Sequence, residues 1–200
     1  MNFSLLNETW TFSEWKAVNE ALENGTLVMT FGRFNPPTIG HQWLFQKMLN
    51  IATRERGVPL VFTSHTQDPK KNPLPYDQKC KWISKLLPKG LRLVKTKARN
   101  MQEILKELMP KGFRRLIVVV GDDRLEGFAW IDKYKADYGL QKVDFVSAGA
   151  RGGDSAIQNA SATQMRACAK AGDYEAFKAL SPFKDADTEV LFSQLQAALK

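Results

Sequence analysis

Thr38, Gly40 and His41 close the run Gly32-Arg33-Phe34-Asn35-Pro36-Pro37-Thr38-Ile39-Gly40-His41. A hydroxyl, an imidazole and two glycines gathered in one turn are suited to phosphate: the side chains offer hydrogen bonds to phosphate oxygens, and glycine permits unusual backbone angles or close approach. Pro36 and Pro37 stiffen the middle of the run. Far along the chain, Ser161, Thr163 and Arg166 repeat the theme with two hydroxyls at a helix start and a guanidinium one turn further on. That set can clamp a triphosphate.

The elements that must position these groups are legible around them. Thr26 to Phe31 is a short β-rich run with no helical period, bounded by Asn24-Gly25 and Gly32, and it predicts a buried first strand. After His41, Trp43, Leu44, Met48, Leu49 and Ile51 recur at helical spacing until Gly57 stops the pattern. A strand-to-helix turn of this kind aims backbone N–H groups and the positive end of a helix dipole at whatever lies above it, so anions bind there. Further strands are predicted at 58–63, 91–94, 115–120 and 143–147, with Arg115–Val120 apolar enough to be central and buried on both faces. Helices are predicted between them: one is entered after Pro75 and carries Trp82 and Ile83, and the next is capped by Asn100 and Glu103. Five strands separated by helices imply right-handed crossovers in an α/β, Rossmann-like, doubly wound parallel sheet, whose loops at the carboxyl ends of the strands converge on one ligand.

The first run resembles the (H/T)-x-G-H signature of the nucleotidyltransferase superfamily, which includes nicotinamide-nucleotide adenylyltransferases and cytidylyltransferases. The segment Ala160-Ser161-Ala162-Thr163-Gln164-Met165-Arg166 is similar to that family's I-S-S-T-x-x-R element, with Ala160 and Ala162 as departures. Gly121-Asp122-Asp123-Arg124 resembles the G-x-D element of the nicotinamide-nucleotide branch, where Asp123 would help bind nucleotide while Asp122 caps the following helix. The resemblance implies strand order 3-2-1-4-5 and transfer of a nucleoside monophosphate from an NTP to a phosphorylated small-molecule acceptor, with release of pyrophosphate. It assigns Thr38, His41 and Arg166 to catalysis and Gly32, Arg33, Phe34, Asn35, Gly40, Gly121, Asp123, Ser161 and Thr163 to the nucleotide. ATP is favoured over CTP because the second motif ends in x-x-R. Mg²⁺ would travel with the nucleotide phosphates rather than sit in a protein cage.

At 200 residues and 44% hydrophobic composition the chain suits one α/β domain, at 26–171, between an N-terminal helical extension at 1–25 and a C-terminal helical cap at 172–200. Trp15, Val18 and Leu22, behind a Thr11–Glu14 capping box, predict the helix of the extension. No apolar run approaches a membrane span, and a cytoplasmic enzyme is expected. Cys80 and Cys168 form no C-x-x-C pair and are expected to be reduced and structural. A net charge of +8 suits a positive nucleotide cleft and also leaves open a nucleic-acid-binding or assembly module on a retained fold, the second reading. Lys70 and Lys71 follow the second strand on the same rim as the first motif, where they either contact phosphate or keep a loop solvated. His65 is read as a hydrogen-bonded structural residue and the tryptophans, Trp43 included, as core. Arg151, in a run of small residues leading to the second motif, either reaches a phosphate as that run closes over substrate or sits in a connecting segment, the reading preferred.

Overall fold

The computed structural model describes residues 25–149 and 160–199, so the N-terminal helix around Trp15 and the Arg151 segment lie outside the described residues. Strands β1 (Thr26–Gly32), β2 (Val58–Thr63), β3 (Arg92–Leu93), β4 (Arg115–Val120) and β5 (Lys142–Ser147) form one sheet in the order β3-β2-β1-β4-β5. Every pairing is parallel, as the alternation of strand and helix patterns predicts. β3 is shorter than its apolar run, but Val94 N–H still donates to Val61 O at 2.9 Å beyond its end.

Alternation along the central strands divides the core in two. Leu27 and Met29 of β1 face one layer together with Leu116, Val118 and Val120 of β4; Val28, Ile117 and Val119 face the other. Helices α1 (Ile39–Glu55) and α2 (Tyr76–Leu86) cover the second layer through Phe45, Met48, Ile83 and Leu86. The first is covered by α3 (Met101–Leu108), capped as predicted by the Asn100 side chain accepting from Glu103 N–H, and by the short helices α4 (Leu125–Phe128) and α5 (Trp130–Lys133).

The end of α1 shows how closely it lies on the sheet. The left-handed residue there is Arg56 (φ 49°) rather than Gly57, the predicted stop. Gly57 is required for another reason, since a Cβ at that position would come within 2.9 Å of Val28 Cγ2 and 3.2 Å of Thr26 O.

Three helices follow β5: α6 (Ala162–Ala171), α7 (Tyr174–Leu180) and α8 (Asp185–Ala198). Met165 and Ala169 of α6 share an apolar cluster with Phe177, Leu191 and Leu195 of the two later helices, and Leu74 and Trp82 join it from the sheet side. Trp82 Nε1 donates to Gln194 Oε1 at 2.9 Å, so α8 is fixed to α2 by a directional bond as well as by packing. α8 begins at Asp185, where Asp185 and Asp187 supply a first turn whose negative charge suits a helix N-terminus.

At the amino ends of the strands, away from the two sequence motifs, Arg115 ties three elements together. Its guanidinium reaches Glu55 of α1 at 2.7 Å and Asp144 of β5 at 2.7 Å. The hydrogen bond from Arg115, with a second from Arg54, holds the Glu55 carboxyl below its ordinary value. Partial burial pushes Asp144 upward, but bonds from Arg115 and Lys142 outweigh it and leave that group lowered as well. Carboxylates lowered in the folded state add stability above their unfolded values, 4.5 and 3.8, and lose it as the pH falls through the lower folded ones. Arg115→Met is therefore expected to reduce the urea midpoint at pH 7, with the gap from wild type closing as pH is lowered below 4.5; a gap independent of pH would refute the triad's role.

Candidate active site

The β1–α1 turn owes its shape to Phe34 and not to a glycine in a left-handed conformation. Phe34 itself has φ 44°, and neither Gly32 nor Gly40 lies in that region. Gly32 serves close approach instead, because a Cβ there would be 2.7 Å from Phe34 Cζ. The buried Phe34 ring meets Phe45 and stands edge-on to His41 at 4.9 Å between centroids, supporting the imidazole from beneath. A Cβ on Gly40 would make only ordinary contacts, 3.5 Å to Ala160 O and to Thr38 Oγ1; the room that glycine leaves there belongs to the cavity. The Asn35–Pro36 peptide is cis.

Thr38 is the N-cap of α1 and His41 its third residue. The Thr38 amide donates to His41 Nδ1 at 2.9 Å. With Nδ1 accepting, the neutral ring carries its proton on Nε2, so the imidazole acts as a donor on the side away from the turn. Thr38 Oγ1 lies 3.0 Å from the same Nδ1 and donates to Ala160 O at 3.3 Å. The residue is buried, and these bonds give its hydroxyl a positioning role in which it joins the first motif to the second.

Asn35 goes further in the same direction. Its Oδ1 accepts from Leu74 N–H and its Nδ2 donates to Leu74 O, both at 3.0 Å, with the residue 1% exposed. Both ends of the amide are committed to backbone, so the side chain holds the turn to Leu74. Its backbone carbonyl accepts from Arg166 Nη1 at 2.6 Å, and Arg166 Nη2 donates to Thr163 Oγ1 at 3.1 Å. Burial, and then the positive charge of Arg33, lower the Arg166 guanidinium from its ordinary value, while Asp68 acts in the opposite sense.

The two motifs thus meet. His41 and Arg166 stand in the wall of one cavity of about 740 Å³ at the carboxyl ends of the strands, together with Gly32, Arg33, Thr163 and Lys71. Gly121 and Asp123 border it from the β4 side, and Arg99 and Thr66 from the β2–β3 side. The N-termini of α1 and α6 both open on it, through Gly40 and His41 and through Ser161 to Thr163, so two helix dipoles present positive ends to the same space. Ser161 is the N-cap of α6: its Oγ accepts from Gln164 N–H at 3.2 Å and Gln164 Oε1 accepts from Ser161 N–H at 2.9 Å.

Several outcomes differ from the residue patterns. Asp122 caps nothing: it lies inside the 3₁₀ turn Asp122–Arg124 with Gly121 in the cap position, and α4 receives no side-chain cap. Trp43, assigned to the core by helical spacing, is 63% exposed and lines the cavity. His65 is structural, stacked on Tyr76 at 3.8 Å and donating from Nε2 to Thr96 O at 2.7 Å. The main-chain N–H groups of Lys70 and Lys71 donate to Asp68 Oδ1, and both side chains are exposed. Lys79 is a site residue that sequence reading passed over. Placed on α2 and 0% exposed, it donates to Ser64 O and, at 3.3 Å, to Thr66 O, bracing the end of β2 that carries the cavity wall.

Among the described residues no group of three or more His, Cys, Asp or Glu side chains could hold a metal ion, and no helix is long and apolar enough to cross a membrane. A family model described as cytidylyltransferase-like matches residues 29–168. Among solved structures 14 chains match. One, a Vibrio parahaemolyticus chain provisionally assigned as a nicotinate-nucleotide adenylyltransferase, has a TM-score of 0.54 and 16% identity over 83% of this chain and 97% of its own. At that identity the likeness speaks for the fold. No curated protein gives a significant match.

Burial lowers the Lys79 amine to about 8 from 10.5. Between these values the unfolded chain binds a proton that the folded protein has released, so stability from this group rises with pH across the window. Lys79→Met leaves two carbonyls without their donor and is expected to cost about 1–3 kcal/mol at pH 7. The deficit should widen from pH 8 to 10.5 in denaturant titrations.

Proposed function

Because the chain belongs to the cytidylyltransferase-like family of nucleotidyltransferases, we propose that it moves a nucleoside monophosphate from an NTP, ATP in preference to CTP, onto a phosphorylated small-molecule acceptor. One observation carries this reading: Arg166, 131 residues from Asn35 in sequence, bonds its carbonyl and so places the second motif beside His41.

In the reaction an acceptor phosphate oxygen attacks the α-phosphorus, the bond from that phosphorus to the bridging oxygen breaks, and pyrophosphate leaves. The protein supplies no covalent nucleophile; alignment and charge stabilisation carry the step. His41, donating from Nε2, stabilises charge on the α-phosphate, while Arg166 and the amides opening α6 hold the β- and γ-phosphates. Thr38 and Asn35 act through the residues they position. Lys71 and Arg33, on the same wall, add positive charge where the leaving group gathers negative charge. Asp123 faces the nucleoside side. Mg²⁺ would come with the nucleotide and would screen the charge of its phosphates. The exposed Trp43 ring at the cavity wall offers a stacking surface to a planar substrate. The reaction is assigned to the cytoplasm, where its nucleotide is found.

Pyrophosphate release, assayed with ATP and CTP against a panel of phosphorylated acceptors, tests the reading; no release with any pair, with nucleic-acid binding that falls steeply with salt, would favour the assembly-module alternative. His41→Ala is expected to lower kcat by about 10²–10³-fold with the fold intact, the usual effect of losing one preorganised donor. Arg166→Ala should weaken ATP binding in titration calorimetry by about tenfold or more, and unchanged affinity would remove it from the triphosphate subsite.

A further inference from the structure

Behind Arg166 the cavity continues into a second space of about 740 Å³, between α6 and the loop that follows β2. Five cationic side chains line it: Arg33, Lys70, Lys71, Arg166 and Lys170. Among the described residues no carboxylate lines it, and none of Arg33, Lys70, Lys71 or Lys170 forms an ion pair. Asp68, the nearest acid in the loop, is committed to the N–H groups of Lys70 and Lys71 and to the Asn72 side chain. On α6, Thr163, Arg166, Ala167 and Lys170 fall on one stripe, spaced three and four apart, which runs roughly 10 Å along the axis away from the end that faces His41.

The crowding has an electrical signature in the fold itself, for Arg33 already disfavours the charge on Arg166. Like charges gathered along one wall, offset only in part by Asp68, are relieved by a bound polyanion. Its place in the cavity fixes which polyanion. Arg33, Lys71, Thr163 and Arg166 border both spaces, so the annex opens from the end of the cleft where the leaving phosphates sit and away from the acceptor side.

We propose that the annex is a polyphosphate subsite that receives phosphates beyond the γ position, with Lys170 at its far end. The proposal rests on the triphosphate placement under Proposed function. A nucleoside 5′-tetraphosphate is then a donor: the acceptor phosphate attacks its α-phosphorus, the α–β bridging bond breaks, and inorganic tripolyphosphate departs with the bonding electron pair. With an ordinary triphosphate the same space gives pyrophosphate an exit that does not cross the acceptor.

Titration of the full chain and of Lys170→Ala with ATP, adenosine 5′-tetraphosphate, inorganic pyrophosphate and inorganic tripolyphosphate tests this. In wild type the tetraphosphate should bind about tenfold more tightly than ATP, and tripolyphosphate more tightly than pyrophosphate by a similar factor. In Lys170→Ala both ratios should fall by about threefold or more, and in Lys170→Glu further still. Equal weakening of the short and long ligands in the variants would mark a diffuse field rather than a subsite and overturn the proposal. Ratios unchanged by either substitution would do the same. If neither ATP nor pyrophosphate binds the wild type, the triphosphate placement fails and the annex reading falls with it; if both bind but chain length makes no difference, the annex reading alone is lost.

Discussion

Asn35 is the joint on which the site depends. Its side chain engages both backbone groups of Leu74 and its carbonyl receives Arg166, so the β1–α1 turn, the loop after β2 and helix α6 are held by one residue. Its amide is buried, so each of these bonds replaces one to water and leaving any unmade would be costly. Phosphate chemistry needs charged and polar groups fixed before the substrate arrives, and here the fixing is done by main-chain contacts that a solvent-exposed side chain could not supply. Thr38, joined to Ala160 O, adds a second tie between the same two segments.

The sheet makes that joint possible. Both faces of β1 and β4 are buried, which sets the register of the central strands and brings the turns at their carboxyl ends to one rim. The opposite rim carries the Arg115 ion triad, so polar binding is divided between the two ends: one locks strands to a helix, the other presents donors to a ligand. Packing of α6 against α7 and α8, and of α8 against Trp82, then keeps the second motif from drifting away from the first.

Much of this was legible in the residues because it follows from short-range patterns. The β1 and β4 runs, the turn between 32 and 41, the Asn100 cap and the start of α6 were read where they occur. What escaped depended on contacts made across the fold. Helical spacing marks Trp43 as apolar but does not say that its face of α1, one turn past the N-terminus, meets a cavity instead of the sheet. A lysine in an amphipathic helix reads as solvent-facing, and only the carbonyls of Ser64 and Thr66, supplied from another segment, make burial of Lys79 tolerable. Nothing in the turn's own sequence says that the Asn35 side chain engages Leu74, 39 residues away. Arg56 and Phe34 took left-handed conformations that composition would have given to glycine.

The brevity of β3 bears on how this protein meets other chains. A flank strand of two residues leaves little unpaired backbone along that side of the sheet, and Arg92 within it and Lys95 just beyond it add charge. A foreign strand seeking to add itself there would find almost no ladder to copy and a positive margin to desolvate. The molecule is thereby guarded on that border against edge-to-edge aggregation, a safeguard suited to a sheet whose central strands are so uniformly apolar.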